Sequence, residues 1–310
     1  METKSAVSPV LKDTLVCASC GGDLSYEGQI SCPSCHTTYE SINGVPWVFI
    51  HGDSVKTQWR SRCRAFISLL NRQHDSLQGY LRQAKLLKTS KERLEILSEA
   101  CTKNAEQLRH LLLPLLDDEC GEWQDLPSAV IQNKVPSKQG PRTYLDLIFR
   151  DWAWDNQENS QAFSMIKEAL PPGCNLKHLF VLGCGAGRLS WDLSNELPNT
   201  QVVAVDINPL LVLAGQKVIA GGQLDLYEIP VSPTSAKNSA TMRKLRAKAQ
   251  TKGQLQFLYA DALNFPVKKN SIEAILTPWL IDVIPQDLRQ FALRMNRSLK
   301  NGGSWINFGP

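Results

Sequence analysis

The sequence predicts an α/β fold built on a Rossmann-like parallel sheet, and three observations lead to this prediction. From residue 179 onward, short apolar runs alternate with amphipathic helical patterns, which is the order of β-α-β units. A glycine-rich turn follows the first apolar run, and Asp206 ends the second. Ahead of this region, the chain carries two closely spaced cysteine pairs and then a long stretch of helix-forming residues.

The glycine-rich turn contains Gly183, Gly185 and Gly187, and it follows the apolar run at residues 179–182. Glycine lets the backbone turn sharply and lets a ligand approach the N-terminus of the next helix. A carboxylate at the end of the following strand, here Asp206, can accept hydrogen bonds from both hydroxyls of a ribose. The two features together favour a nucleoside cofactor, and the alternative is a plain strand–turn–helix without a ligand.

The spacing of the glycines distinguishes between cofactor classes. A dinucleotide site requires Gly-x-Gly-x-x-Gly, and the third glycine of that pattern is absent here. The spacing resembles the first motif of class I S-adenosylmethionine-dependent methyltransferases, which implies S-adenosyl-L-methionine as the cofactor. Asp261 and Ala262 follow a strand predicted at residues 255–259, and they resemble the positions where such enzymes contact the adenine amino group and ring.

Length and composition limit the other possibilities. The chain has 310 residues, is 43% hydrophobic and has a net charge of +4, which fits one large domain with a smaller one and gives no global argument for nucleic acid. The N-terminus has no apolar signal region, and no apolar run reaches transmembrane length, so no membrane partner is expected. Nine cysteines with one ordered set of four suit a reducing cytoplasm better than a disulfide framework.

The ordered cysteines form two Cys-x2-Cys pairs, and they are Cys17, Cys20, Cys32 and Cys35. This spacing lets one turn present two thiolates to a tetrahedral Zn²⁺, so the segment predicts a structural zinc ribbon. The alternative of four free or oxidised thiols leaves a segment with too little core to fold. The segment resembles the small zinc-ribbon protein that activates tRNA, rRNA and release-factor methyltransferases, in its Cys-Pro-x-Cys pair and in the turn at residues 43–46.

Residues 56–116 are dominated by helix formers and predict a helical segment. Between residues 56 and 110, twelve Lys and Arg outnumber five Asp and Glu. This excess could face RNA, but a solvated helix face is the favoured interpretation. Residues 120–142 contain three prolines and predict an irregular connection.

Residues 144–152 read YLDLIFRDW and, taken alone, predict a short amphipathic helix. Their position about thirty residues before the glycine turn resembles the carnosine N-methyltransferase family, whose members carry Arg-Asp-Trp there. In that family the arginine helps to hold the cofactor, so the resemblance implies that Arg150 faces the methionine carboxylate. The family has a glutamine three residues earlier, and Leu147 replaces it here.

Two further motifs carry the same resemblance. Residues 277–282, TPWLID, follow a strand predicted at 272–276, and the end of such a strand is where open α/β sheets bind ligands. Pro278 is therefore placed with the cofactor. In the family an aspartate of this motif contacts the substrate imidazole, which implies that role for Asp282; a helix cap is the alternative. The last predicted strand spans residues 304–308. The family's Trp-Ile-Asn-x-Gly-Pro motif starts within this strand, at Trp305.

An insertion spans residues 221–253, and its second half contains six basic residues without an acid. The pattern predicts a mobile or solvated helix, and a lid or phosphate-facing patch is the alternative. Class I methyltransferases add two more strands after the point where this sequence stops. We therefore expect the sequence to be a fragment; a partner covering the last strand is the alternative.

Together these features predict a zinc ribbon at residues 1–54, a helical segment and linker at 55–142 and a methyltransferase domain at 143–310. The expected function is N-methylation of an imidazole-containing small molecule or a histidine-containing peptide. One alternative is an RNA or protein methyltransferase with a fused zinc-ribbon activator. Another is a catalytically silent scaffold that binds the cofactor.

Overall fold

The computed structural model describes residues 7–83, 85–116, 141–170, 176–249, 251–285 and 287–309. The connection predicted at residues 120–142 falls, apart from its last two residues, outside these ranges. Within them lie eight α-helices: α1 (Pro9–Thr14), α2 (Gly52–Gln83), α3 (Lys88–Leu116), α4 (Pro141–Trp152), α5 (Glu158–Ala169), α6 (Arg188–Glu196), α7 (Pro209–Ile219) and α8 (Leu288–Ser298). The same ranges contain eleven strands: β1 (Ile30–Ser31), β2 (Thr38–Tyr39), β3 (Ser41–Ile42), β4 (Val45–Val48), β5 (His178–Leu182), β6 (Gln201–Asp206), β7 (Leu224–Glu228), β8 (Thr241–Leu245), β9 (Gln254–Ala260), β10 (Ile272–Pro278) and β11 (Leu299–Phe308).

The central sheet has seven strands in the order β11-β10-β5-β6-β9-β4-β3. Neighbouring strands from β11 to β4 are parallel, and only β3 is antiparallel to its neighbour β4. The five strands predicted from the sequence are β5, β6, β9, β10 and β11, so the predicted α/β fold is confirmed. The central strand β5 is buried at all five positions, as expected for a parallel strand covered on both faces.

The strand β4 joins the N-terminal segment to this sheet, which the sequence did not indicate. It pairs in parallel with β9, and the partners are Trp47 with Tyr259 and Val48 with Ala260. Apolar residues of the cysteine segment also share one buried cluster with residues of the central strands. Cys17, Cys32 and Leu258 all belong to this cluster. The predicted bounds between the ribbon and the other segments stay a prediction, because these parts share a core.

The helices α2 and α3 form the predicted helical segment and pack against each other along their length. Arg60 Nε donates to the carbonyl of Leu115 at 2.7 Å, and Arg64 Nη2 donates to that of Leu116 at 3.0 Å. These bonds satisfy carbonyls at the end of α3 that lack a partner within the helix. Part of the basic excess therefore acts inside the fold. None of the described helices combines the length and apolar character needed to cross a bilayer.

The insertion at residues 221–253 contains an antiparallel pair of strands, β7 and β8, and the prediction of a solvated helix was wrong. Leu224, Leu226 and Leu245 are fully buried, so an alternating apolar pattern anchors the pair to the core. Two of its basic residues form ion pairs, Arg243 with Glu228 and Lys248 with Asp155. The alternative of a lid or phosphate-facing patch stays a prediction.

Candidate functional site

The glycine turn connects β5 to α6, and all three glycines have positive φ angles, of 73°, 59° and 81° for Gly183, Gly185 and Gly187. Gly187 also permits close packing, because a Cβ there would lie 2.8 Å from the ring of Phe257. A Cβ at Gly183 would lie 3.1 Å from the side chain of Leu280. The loop is therefore a tight cradle that side chains would fill.

The carboxylate of Asp206, at the end of β6, is hydrogen-bonded to this cradle. Its Oδ2 accepts the backbone N–H of Gly185 at 2.8 Å, and its Oδ1 accepts that of Asn208 at 2.9 Å. Burial, with a smaller contribution from the nearby Asp151, raises the pKa of Asp206 to about 6, against the lowering effect of these N–H groups. The carboxylate holds the loop in place and retains lone pairs for a ligand.

Residues 150–152 pack directly on the loop from the end of α4. Trp152 Nε1 donates to the carbonyl of Ala186 at 2.9 Å. Arg150 donates from Nε and Nη2 to Asp151 Oδ1 at 3.1 and 3.0 Å. Its third nitrogen, Nη1, has no hydrogen-bond partner among the described residues. The structure therefore places a cation with a spare donor beside the cradle.

Asp151 is a buried acid that supports this arrangement. Its burial raises the pKa of the carboxyl, and the charge and hydrogen bonds of Arg150 lower it. Arg188, the first residue of α6, donates from Nη1 to the Asp151 backbone carbonyl at 3.1 Å. The Arg-Asp-Trp segment and the glycine loop therefore form one connected unit.

The predicted adenine contacts lie at the same edge of the sheet, past the end of β9. Asp261 Oδ1 accepts the backbone N–H of Leu263 at 2.8 Å, and Oδ2 accepts the side-chain amide of Asn264 at 2.7 Å. Ala262 is buried. Asp206 is paired with Tyr259 in the sheet, and Asp261 comes two residues after Tyr259. Asp261 therefore lies just beyond Asp206 at the same edge. The structure thus brings these two acids to one end of neighbouring strands.

The segment after β10 forms the opposite side of the site. Trp279 has a φ of 46°, and its backbone N–H donates to the carbonyl of Phe308 at 2.7 Å. The guanidinium of Arg150 lies 4.7 Å from the Trp279 ring centre, a cation–π distance. Pro278 is the last residue of β10 and is buried. The sequence placed Trp279 near the substrate but did not predict its contact with Arg150.

Asp282 lies in the turn after this segment and is exposed. It forms no hydrogen bond or ion pair within the described part of the chain. The N-cap of α8 is instead Asp287, whose side chain accepts the backbone N–H of Arg289 at 2.9 Å. The geometry therefore gives no support to the helix-cap alternative, and the substrate role of Asp282 stays a prediction.

The four paired cysteines come together at one point, and their sulfur atoms all lie within 4.8 Å of one another. The separations of Cys17 from Cys35 and of Cys20 from Cys32 are both 3.5 Å. Tetrahedral Zn–S bonds of about 2.3 Å require sulfur–sulfur distances of about 3.8 Å, so this donor set fits Zn²⁺. The Tyr39 hydroxyl contacts Cys17 Sγ at 3.1 Å and accepts the Ala18 N–H.

Comparison with solved structures found distant relatives. A Methanococcus maripaludis protein assigned as an S-adenosyl-L-methionine-dependent methyltransferase is 18% identical, with a TM-score of 0.38, and the match covers 57% of this chain and 65% of that one. Phosphoethanolamine N-methyltransferase 2 of Haemonchus contortus, solved with S-adenosyl-L-methionine, is 18% identical, with a TM-score of 0.35, and the match covers 54% and 31%. A Pyrococcus horikoshii protein is 17% identical, with a TM-score of 0.37, and coverage is 53% and 64%.

The chain spans less than two thirds of each of these relatives. No curated protein sequence matches it significantly. The sequence profile of the carnosine N-methyltransferase family matches residues 127–310, which is more than half of the chain. The chain therefore belongs to the carnosine N-methyltransferase family, a family of S-adenosylmethionine-dependent methyltransferases.

Proposed function

We propose that this protein is an S-adenosylmethionine-dependent N-methyltransferase that acts on an imidazole-containing small molecule or a histidine-containing peptide. The strongest support is that three features lie together at one edge of the sheet, beside the segment that contains Trp279. They are the guanidinium of Arg150, the glycine loop and the carboxylate of Asp206. Arg150 stacks on Trp279, and Asp206 binds the loop that Arg150 borders. In a chain of this family, the cation is complementary to the carboxylate of an amino acid, and the carboxylate of Asp206 is complementary to the hydroxyls of a nucleoside joined to it.

The residues at this edge fit the proposed cofactor. Arg150 would bind the methionine carboxylate through its free donor, and Asp206 would accept the ribose hydroxyls. Asp261 and Ala262 would contact the adenine amino group and ring. Four further residues would border the cofactor without filling its space: Gly183, Gly185, Gly187 and Pro278. S-adenosyl-L-methionine, when bound, supplies a methyl group on a sulfonium sulfur.

The protein itself needs no nucleophile for this reaction. Its residues align the acceptor nitrogen with the methyl group and exclude water. For an imidazole, Asp282 would accept a hydrogen bond from the protonated ring nitrogen. This bond fixes the tautomer and leaves the lone pair on the other nitrogen, which is the one to be methylated.

We also propose that Cys17, Cys20, Cys32 and Cys35 bind one structural Zn²⁺. Four thiolates complete a tetrahedral site and leave no position for water or substrate. The ion would therefore act through folding and take no part in methyl transfer. Cysteines held as thiolates suit a reducing compartment, which supports a cytoplasmic location.

The role of Asp282 can be tested by methyl transfer from labelled cofactor to carnosine and to a histidine-containing peptide. We expect Asp282→Ala to lower transfer at least about 100-fold, because the tautomer is no longer fixed. Binding of adenosylhomocysteine should persist in this variant. The matched control is Asp75→Ala, which removes an exposed aspartate of α2 and should leave transfer unchanged.

Two outcomes would count against the proposal. Loss of both binding and transfer in Asp282→Ala, or of neither, would remove the assigned role. Transfer to RNA, with binding that weakens steeply as salt rises, together with no transfer to imidazoles, would favour an RNA methyltransferase instead.

A further inference from the structure

A row of side chains beside Asp206 connects the methyltransferase strands to the N-terminal segment. Asp206 of β6 is paired with Tyr259 of β9, which is paired with Trp47 of β4. Residues paired across neighbouring strands point to the same face of a sheet, so these three side chains share one face. The rings confirm this for Trp47 and Tyr259, since their centres are 5.1 Å apart.

Two helices cover this face. Trp59 of α2 and Tyr144 of α4 pack together with ring centres 6.1 Å apart, and both belong to the buried cluster that contains Tyr259. The guanidinium of Arg62 of α2 lies 5.7 Å from the centre of the Trp59 ring. The face beside Asp206 is thus enclosed by aromatic residues from both parts of the chain.

Three polar atoms in and beside this enclosure have no hydrogen-bond partner among the described residues: Tyr259 Oη, Trp59 Nε1 and Asn208 Nδ2. The residues are almost completely buried, with exposures of 0%, 2% and 3%. Buried polar atoms in proteins are nearly always paired, so each of these unpaired donors needs an explanation. A bound ligand that accepts hydrogen bonds would supply the missing partners.

The chemistry of these groups matches the nucleoside part of the proposed cofactor. Ribose hydroxyls donate to a carboxylate, here Asp206, and at the same time accept hydrogen bonds. The ring nitrogens of adenine also accept hydrogen bonds and have no proton to donate. The carboxylate of Asp206, together with the unpaired donors in and beside the enclosed face, is therefore complementary to a ribose with a purine.

We infer that Tyr259, Trp59 and Asn208 bind the nucleoside end of the cofactor and donate hydrogen bonds to its ribose and adenine. This inference rests on the proposed function, because it assumes that an adenosyl compound binds at Asp206. Trp59 lies outside residues 127–310, the range that matches the family. The cofactor site is thus built jointly by the helical segment and the methyltransferase strands.

Calorimetric titration with two probes tests this inference: adenosylhomocysteine, and 5′-methylthioadenosine, which keeps the nucleoside and lacks the amino acid. We expect Tyr259→Phe to weaken binding of both probes about tenfold, because one hydrogen bond to the nucleoside is lost. The melting temperature of the ligand-free variant should stay equal or rise, because an unpaired buried hydroxyl is removed. The control is Tyr227→Phe, whose hydroxyl donates to Glu99 at 3.1 Å.

Trp59→Phe provides an independent test, because it removes the indole N–H and keeps an aromatic ring. Both probes should again bind more weakly. Its control is Trp191→Phe, which removes a buried indole that donates to Thr251 at 3.0 Å. Arg150→Ala should weaken only adenosylhomocysteine, because methylthioadenosine has no carboxylate to bind.

The outcomes separate this inference from the proposed function. If the unmodified protein binds neither probe, the proposed function fails. If it binds both, and Tyr259→Phe and Trp59→Phe bind them as tightly as their controls do, the inference is overturned. Weakening in only one of the two variants keeps that residue in the site and removes the other.

Discussion

At the scale of a single residue, two opposing effects determine the pKa of the Asp206 carboxyl. Burial raises its pKa to about 6, from an ordinary value of 3.8, although Gly185 and Asn208 donate hydrogen bonds to it. A carboxyl whose pKa is higher in the folded state stabilises the fold fully below the unfolded pKa. That stabilisation is lost as the pH rises through the folded pKa. We therefore expect it to disappear between about pH 4 and pH 6, a change of about 3 kcal/mol.

Denaturant unfolding of the wild type and of Asp206→Asn, at pH 4 and pH 7.5, measures this effect. The asparagine does not titrate, so the variant should gain stability relative to the wild type as the pH rises. A difference in unfolding free energy that is the same at both pH values would contradict the prediction. Titrating groups that do not interact with Asp206 are common to both proteins and cancel in this comparison.

At the scale of one structural element, the connection between β5 and α6 depends on a glycine. Gly187 precedes α6 with a φ of 81°, and an added Cβ would lie 2.8 Å from Phe257. We predict that Gly187→Ala destabilises the protein by about 2–4 kcal/mol, because backbone strain and overpacking both act there. Adenosylhomocysteine binding should also weaken, because the loop must shift.

Gly221→Ala is the matched control for this element. Gly221 has a φ of 87° but no atom within 4 Å of an added Cβ, so only backbone strain of about 1–2 kcal/mol applies. Urea unfolding of the two variants isolates the packing contribution. Equal destabilisation of both would show that contact with Phe257 does not constrain the loop.

At the scale of the whole molecule, the cysteine segment and the sheet share a buried core. Cys17 and Cys32 belong to the same buried cluster as Leu258 and Ala260, and β4 is hydrogen-bonded to β9. We predict that removing Zn²⁺ lowers the melting temperature of the main unfolding transition by roughly 10 °C or more, because metal binding contributes to folding. A separate ribbon would instead melt alone and leave the main transition in place.

Calorimetry with and without a chelator distinguishes these cases. Cys20→Ser should reproduce the effect of the chelator, since it removes one of the four proposed zinc ligands. Ser34→Ala, in the second cysteine pair, removes no sulfur and should leave the main transition unchanged. A main transition unaffected by the chelator would exclude coupling between the metal centre and the sheet.

Much of the fold could be predicted because short contiguous segments carry the required information. The glycine turn, the apolar strand runs and the cysteine pairs each impose a local backbone requirement, so their patterns can be read without knowing their neighbours. The insertion was misinterpreted for a related reason. Its basic residues suggested a solvated helix, whereas the alternation of Leu224 and Leu226 matched a strand.

Contiguous residues were thus enough to predict the parallel sheet, the glycine turn with Asp206 at the next strand end, and the cluster of four cysteines. Only the folded chain revealed that β4 extends the sheet beside β9, and that Trp59 and Tyr259 enclose the face beside Asp206. These contacts join segments about two hundred residues apart. Their pairing is decided by how buried surfaces pack together, and no local pattern in the chain encodes that choice.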